Sequence, residues 1–168
     1  MLIFLIGFMG CGKSYIGRNL APLMGYEHID MDHAIERKEG MSVKEIFEQK
    51  GEDYFRNQEK EFIQSLDPTK NILISTGGGA PCFFDNMDVM NQKGITLYLN
   101  RSKENILRRL MQRPEKRPLL KGMNEEQVGQ FYDERLADRK PWYEKAQLFA
   151  GDADHAEIRK MLKEKFGV

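Results

Sequence analysis

The amino-acid sequence predicts an α/β fold, a parallel sheet covered by helices on both sides. Three observations carry that expectation. Leu2-Ile3-Phe4-Leu5-Ile6 is a continuous apolar run, which suits a strand buried on both faces rather than on one. Short strand-like segments then alternate with stretches of helical spacing down the chain. Glycine-rich segments follow two of the strands directly, and in such sheets ligands bind at the carboxyl ends of the strands.

The elements follow in order. Ser14 to about Met24 has helical spacing at Ile16, Leu20 and Leu23 and ends at Gly25, a suitable C-terminal cap. A short strand ends near Asp30, and helical material continues to about Leu66 in pieces broken near Gly40 and Gly51. Asn71 to Ser75 is the next strand and runs into Thr76-Gly77-Gly78-Gly79. Ile95 to Leu99 is a further strand, followed by a basic helix from about Ser102 to Arg113. Arg113 to about Met123 carries two prolines, a glycine and four cations with weak periodicity, and reads as a mobile loop. A helix from about Asn124 to Lys140, a short strand near Leu148 and a helix from about His155 to Phe166 close the chain. No element is assigned between Gly79 and Ile95.

At 168 residues the chain fits one domain, 1–168, able to bury a core without disulfides or a structural metal. Lys+Arg and Asp+Glu number 26 each, so any anion site must be local. The cationic run Arg108, Arg109, Arg113, Lys116, Arg117 could point to RNA, but the neutral balance speaks against nucleic acid. Two cysteines, Cys11 and Cys82, cannot make a disulfide framework; reduced thiols suit the cytoplasm, and both read as small apolar fillers. Met1 to Ile6 resembles the apolar part of a signal peptide, yet it lacks a basic leader and a small-residue cleavage site, so a strand explains it better. No apolar run reaches the roughly 20 residues that span a bilayer. His28, His33 and His155 show no metal-ligand spacing.

Gly7-Phe8-Met9-Gly10-Cys11-Gly12-Lys13-Ser14 matches the phosphate-loop pattern G-x-x-x-x-G-K-S/T in full, between a strand and a helix as the pattern requires. Its glycines let backbone N–H groups and the helix N-terminus face an anion. Lys13 is expected to reach the β- and γ-phosphates of a nucleotide, and the Ser14 hydroxyl to bind magnesium. The usual acid at the end of a second strand is missing, because Ile72-Leu73-Ile74 ends in Ser75-Thr76. Asp30-Met31-Asp32 is the best substitute: in extended structure both carboxylates point the same way. Alternatively, Asp32 only caps the helix beginning near Ala34.

Gly77-Gly78-Gly79 permits positive φ and leaves N–H groups free to face a ligand, or else makes a tight turn. Arg56 and Glu59 share a helix face; an exposed pair would matter little, whereas at a site the acid would fix the arginine fork for a carboxylate or phosphate. Arg135 and Arg139 lie four apart, so either both are in solvent or an anion lies near one. Arg117, in Lys116-Arg117-Pro118-Leu119-Leu120, is the natural lid cation, or a solvated basic loop.

Taken together, the phosphate loop from Gly7, Asp30-Met31-Asp32, Phe55-Arg56-Asn57-Gln58-Glu59, Thr76-Gly77-Gly78-Gly79, Arg117-Pro118-Leu119-Leu120 and Arg139-Lys140-Pro141-Trp142-Tyr143 resemble the shikimate kinase family over nearly the whole chain. The resemblance implies a small cytoplasmic enzyme of aromatic amino-acid biosynthesis that makes shikimate 3-phosphate and ADP from shikimate and ATP. It implies a three-layer α-β-α P-loop kinase fold with a five-stranded parallel sheet, a lid at about 113–124 and an acceptor-binding helical region at about 32–66. Lys13, Asp32 and Arg117 would be catalytic, with Asp32 holding the acceptor hydroxyls and helping to deprotonate the attacking one. ATP would meet Gly10, Cys11, Gly12, Lys13, Ser14, Tyr15, Arg109 and Arg117. The acceptor would meet Asp32, Arg56, Gly78, Gly79 and Arg139, oriented by Glu59, Phe47 and Phe55. Ser14 and Asp30 would serve Mg2+. The chain is expected to act as a monomer on small molecules, with no nucleic-acid or membrane partner.

Three points depart from the family pattern. Tyr15 stands where the family usually has Thr, either Arg109 or Leu110 could face the base, and Gly151-Asp152-Ala153-Asp154-His155 does not closely match the usual nucleotide-side loop. A gluconate or nucleotide kinase is the nearest rival. A silent nucleotide-binding protein would be expected to lack Lys13, Asp32 or Arg117, and all three are present.

Overall fold

A computed structural model of the chain describes residues 1–112 and 120–168. Strands β1 (Leu2–Ile6), β2 (Glu27–Asp30), β3 (Ile72–Ser75), β4 (Gly94–Tyr98) and β5 (Leu148–Phe149) form one sheet in the order β2-β3-β1-β4-β5. Every adjacent pair is parallel. The five-stranded parallel sheet expected from the family likeness is therefore present.

Strand β1 explains the three layers. Successive side chains point to opposite faces. Ile3 and Leu5 enter one core with Leu20 of α1 (Lys13–Met24), Ile106 of α6 (Lys103–Gln112), Val128 of α7 (Glu125–Tyr143) and Ile158 of α8 (His155–Phe166). Leu2, Phe4 and Ile6 enter the other with Ile35 of α2 (Met31–Glu39), Ile46 of α3 (Val43–Lys50), Ile63 of α4 (Glu52–Ser65) and Met90 of α5 (Asn86–Lys93). Both faces are covered, so the strand needs no polar alternation.

Gly25 and Gly40 cap α1 and α2 in the left-handed conformation, φ 69° at each, where a β-carbon would be strained. Reciprocal capping boxes start α3 (Ser42, Glu45), α7 (Asn124, Gln127) and α8 (Asp154, Glu157).

Some expectations are corrected. Residues 80–94 hold a 3-10 turn at Ala80–Cys82 and helix α5. Asp85 gives α5 no side-chain cap; the helix is held by burial of Met87 and Met90 and by Asn86 Nδ2, which donates to the Ala80 carbonyl at 2.9 Å. Tertiary packing made that helix, not local signals. Helix α7 runs past Lys140 to Tyr143, whose fully buried ring anchors the last turn. The expected lid at about 113–124 falls partly on residues 113–119, outside the described residues, while Leu120 is buried in the first core. Among the described residues no helix is long and apolar enough to cross a membrane.

The strand register sets the site. Asp30 pairs with Ser75, and Ser75 with Leu5, so the ends of β2, β3 and β1 lie along one edge. The phosphate loop, Asp30 and the glycine triplet all leave from that edge.

Candidate active site

The phosphate loop leaves β1 and enters α1 through Gly12, the N-cap, at φ 93°, with Gly10 at φ 79°. These left-handed conformations need glycine. Lys13 Nζ donates to the carbonyls of Gly7 (2.7 Å) and Phe8 (3.1 Å) and lies 3.7 Å from Cys11 Sγ. Gly17 lets α1 sit close to the sheet, since a β-carbon there would stand 2.7 Å from Ser75 Oγ. That approach brings Ser14 Oγ to donate to Asp30 Oδ2 at 2.5 Å.

Asp30 and Asp32 do not share an extended segment, as the sequence reading expected. The chain turns into α2 at Met31, and Asp30 is the N-cap, accepting from the His33 N–H at 3.4 Å. Capping thus belongs to Asp30, and Asp32 sits in the first turn, free of that duty. Both carboxylates still line one cleft of about 1060 Å³ with Gly10, Gly12, Lys13, Ser14, Tyr15 and Arg109. Arg109 stands against Gly12, whereas Leu110 is buried in the core, so of the two only Arg109 can face a nucleotide in this cleft.

A second group gathers around the glycine triplet. Arg56 Nη1 donates to Glu59 Oε2 at 2.8 Å, and its Nε and Nη2 donate to Glu52 Oε1 at 3.3 and 3.1 Å. Of its five N–H groups, two have no acceptor among the described residues. A β-carbon at Gly79 would stand 2.7 Å from both Nη atoms of Arg56, and one at Gly78 would stand 3.2 Å from Arg139 Nη1. The triplet is therefore glycine for close approach and not for positive φ, because none of Gly77, Gly78 and Gly79 is left-handed. Tyr143 Oη donates to the Gly78 carbonyl at 2.5 Å and holds the turn. Arg139 turns inward over Phe8, 5.8 Å from its ring, while Arg135 is exposed over Phe131. Arg117 lies among 113–119, outside the described residues.

Asp32 joins the two groups. Burial raises its carboxyl above the ordinary value, Asp30 adds to this, and Lys13 pulls it back. Glu59, fully buried, is pushed up to about 7 by burial, against the pull of Arg56 and with a further push from Asp32. Burial also raises the Cys82 thiol to about 11, which fits a filler and not a nucleophile.

Sequence reasoning missed two residues. Phe83 covers the Arg56 guanidinium at 4.2 Å from its ring centre, nearer than Phe55 (5.6 Å) and Phe47 (6.0 Å). Nothing in the linear pattern singles it out. Arg101, 7% exposed, donates to the carbonyls of Cys11 (3.4 Å) and Ala153 (2.6 Å). Its place just past the carboxyl end of β4, where such sheets bind ligands, is the signal that could have found it.

Ser14 hydroxyl and Asp30 carboxylate, with Asp32 on the same wall, are a small set of hard oxygen donors. That set fits magnesium, which takes one or two carboxylates and keeps waters and phosphate oxygens for the rest.

The shikimate kinase family model matches residues 9–166. A shikimate kinase of Parabacteroides distasonis is 44% identical over 146 residues, covering 87% of this chain and 84% of that protein. The crystal structure of shikimate kinase from Bacteroides thetaiotaomicron superposes with a TM-score of 0.92 at 34% identity, over 100% of this chain and 99% of that one. The structure of the Acinetobacter baumannii shikimate kinase in complex with shikimate gives 0.85 at 36% identity, over 99% and 93%. The chain belongs to the shikimate kinase family.

Proposed function

We propose that this chain carries out the reaction of its family, transfer of the ATP γ-phosphoryl group to the 3-hydroxyl of shikimate, giving shikimate 3-phosphate and ADP. The observation that carries the reading is Asp32, a partly buried carboxylate between a phosphate loop and an arginine-lined pocket. The backbone of Gly10 to Gly12, with Cys11 between them, and the start of α1 at Lys13, Ser14 and Tyr15 receive the phosphates. Lys13 exchanges the Gly7 and Phe8 carbonyls for phosphate oxygens. Ser14 and Asp30 would hold Mg2+, which when bound offsets phosphate charge.

Arg56 offers its two remaining N–H groups, and Arg139 its guanidinium, to the acceptor carboxylate. Gly78 and Gly79 line that pocket with backbone, and Phe47 and Phe55 wall it. Asp32 accepts the proton of the attacking hydroxyl; a carboxylate raised by burial is the better base for this. That oxygen forms the new P–O bond as the bond to ADP breaks. Arg117 keeps the charge-stabilising role that the family likeness implies. A cytosolic monomer completes the proposal: Cys11 and Cys82 are free thiols, and one chain supplies both groups of site residues.

ADP release with Mg-ATP, compared across shikimate, gluconate, nucleoside monophosphates and no acceptor, tests the reading. Release that depends on shikimate is expected. Release only with another acceptor would overturn the roles of Arg56 and Arg139.

A further inference from the structure

We propose that Glu59 couples acceptor binding to proton uptake, so that the site takes a carboxylate acceptor best while Glu59 is neutral. The inference rests on the acceptor reading above and adds a proton to it. Glu59 is fully buried, and its two oxygens are placed differently. Oε2 accepts from Arg56 Nη1 at 2.8 Å, whereas Oε1 has no partner among the described residues. A bare buried carboxylate oxygen is costly, but once protonated it becomes a donor. An acceptor lies in that direction. Asp32 Oδ1 is also without a partner among the described residues and approaches the same point beside Gly77.

The charges around Glu59 set the direction of the exchange. On its own helix α4, Arg56 attracts it, and Glu52 shares the same guanidinium at 3.1 Å. Asp32 on α2 repels it, and Arg139 on α7 attracts it. Cys82, on the 3-10 turn, carries a thiol raised to about 11 and is neutral near pH 7. One guanidinium thus already serves two carboxylates through three of its five N–H groups. The acceptor carboxylate would take the other two and draw on Arg139. Both cations that favour ionised Glu59 would then face a third anion. Glu52 keeps 53% of its side chain exposed, so water solvates its charge. Glu59 is shut off from water, so the proton goes there.

This exchange falls near neutrality, because burial already pushes the Glu59 carboxyl up to about 7. A negative charge brought against Arg56 raises it further. A group held more basic in the complex than in the free protein takes up protons on binding. Acceptor affinity is therefore full below about pH 7 and falls as pH rises through it.

Calorimetry of shikimate binding in PIPES, HEPES and imidazole buffers tests this. Their ionisation enthalpies differ, so the slope of heat against that enthalpy counts the protons exchanged. The unaltered chain should take up about half a proton at pH 7 and almost none at pH 5.5. Its shikimate dissociation constant should rise about three- to tenfold from pH 6.5 to pH 8.5. Glu59→Gln, neutral at every pH, should lose the uptake and most of the pH dependence. Shikimate binding without uptake, as when an acceptor hydroxyl donates to Oε1 instead, would overturn the proposal. Uptake that persists in Glu59→Gln would overturn it equally. Should that variant not fold, infrared difference spectra of Asp32→Asn decide the matter. The C=O band of a protonated carboxyl should grow on shikimate addition, and no growth overturns the proposal. A chain that binds no shikimate overturns the acceptor reading and this inference with it, whereas binding without uptake leaves the acceptor reading standing.

Discussion

Asp32 Oδ1 and Glu59 Oε1 converge on Gly77: a β-carbon built there would lie 2.9 Å from the first and 2.8 Å from the second. Both oxygens are buried without a hydrogen-bond partner among the described residues. Two carboxyls from helices α2 and α4 thus meet at a glycine of the β3 turn. Asp32, the proposed base, thus stands beside the acid that holds Arg56, and its charge adds to the burial that raises the Glu59 carboxyl.

Gly77→Ala should therefore damage chemistry more than folding. Contacts under 3.0 Å force either Asp32 or Glu59 to move, and Glu59 is pinned by Arg56 at 2.8 Å. A misplaced base costs on the order of a hundredfold in turnover. Steady-state kinetics alongside calorimetric ADP binding would check this, with ADP affinity expected to be unchanged.

The pH dependence of stability follows from Glu59. Its carboxyl is raised from the ordinary 4.5 to about 7 in the fold, so the native state holds the proton more tightly than the unfolded chain. Its contribution to stability is full below the unfolded value and is lost as pH rises through about 7. The Tm of the unaltered chain minus that of Glu59→Gln should fall from pH 5 to pH 8. A flat difference would contradict the raising of this carboxyl by burial.

Asp32→Asn keeps shape and removes the proposed proton acceptor. Turnover should fall by about 10²–10⁴-fold, the usual contribution of a positioned base, while ADP still binds. Near-normal turnover would remove Asp32 from the mechanism.

Arg139→Ala should raise the shikimate KM about ten- to hundredfold, since a charge-assisted contact contributes roughly 1.5–3 kcal/mol. The ATP KM should hold. An unchanged shikimate KM would place the acceptor carboxylate on Arg56 alone.

Phe83→Leu removes the ring that lies nearest Arg56, 4.2 Å away. A partly desolvated cation–π contact contributes about 1 kcal/mol, so the shikimate KM should rise about fivefold and Phe83→Trp should restore it. Next to it, Phe84 has φ 51°, strained for an aromatic residue. Phe84→Gly should be tolerated, read as an unchanged or higher Tm.

Much of this protein was legible in its linear order, for a physical reason. The phosphate loop works through backbone N–H groups, so its contiguous glycines, Lys13 and Ser14 specify it locally. The run Leu2–Ile6 announces a strand with two buried faces because burial leaves no polar alternation to read. By contrast, α5 lacks a side-chain cap and exists through the burial of Met87 and Met90, which only the assembled sheet supplies. The glycine triplet could be located in sequence but not explained. Its function is to admit Arg56, Arg139, Asp32 and Glu59, which come from three other helices. Whether Asp32 caps the next helix turned on where β2 ends: its register with β3 carries the strand to Asp30, which takes the cap instead. Phe83 over Arg56 and Arg101 across two loops join residues far apart in the chain. Such contacts depend on distances that exist only after the strands pair, and the sequence alone could not express them.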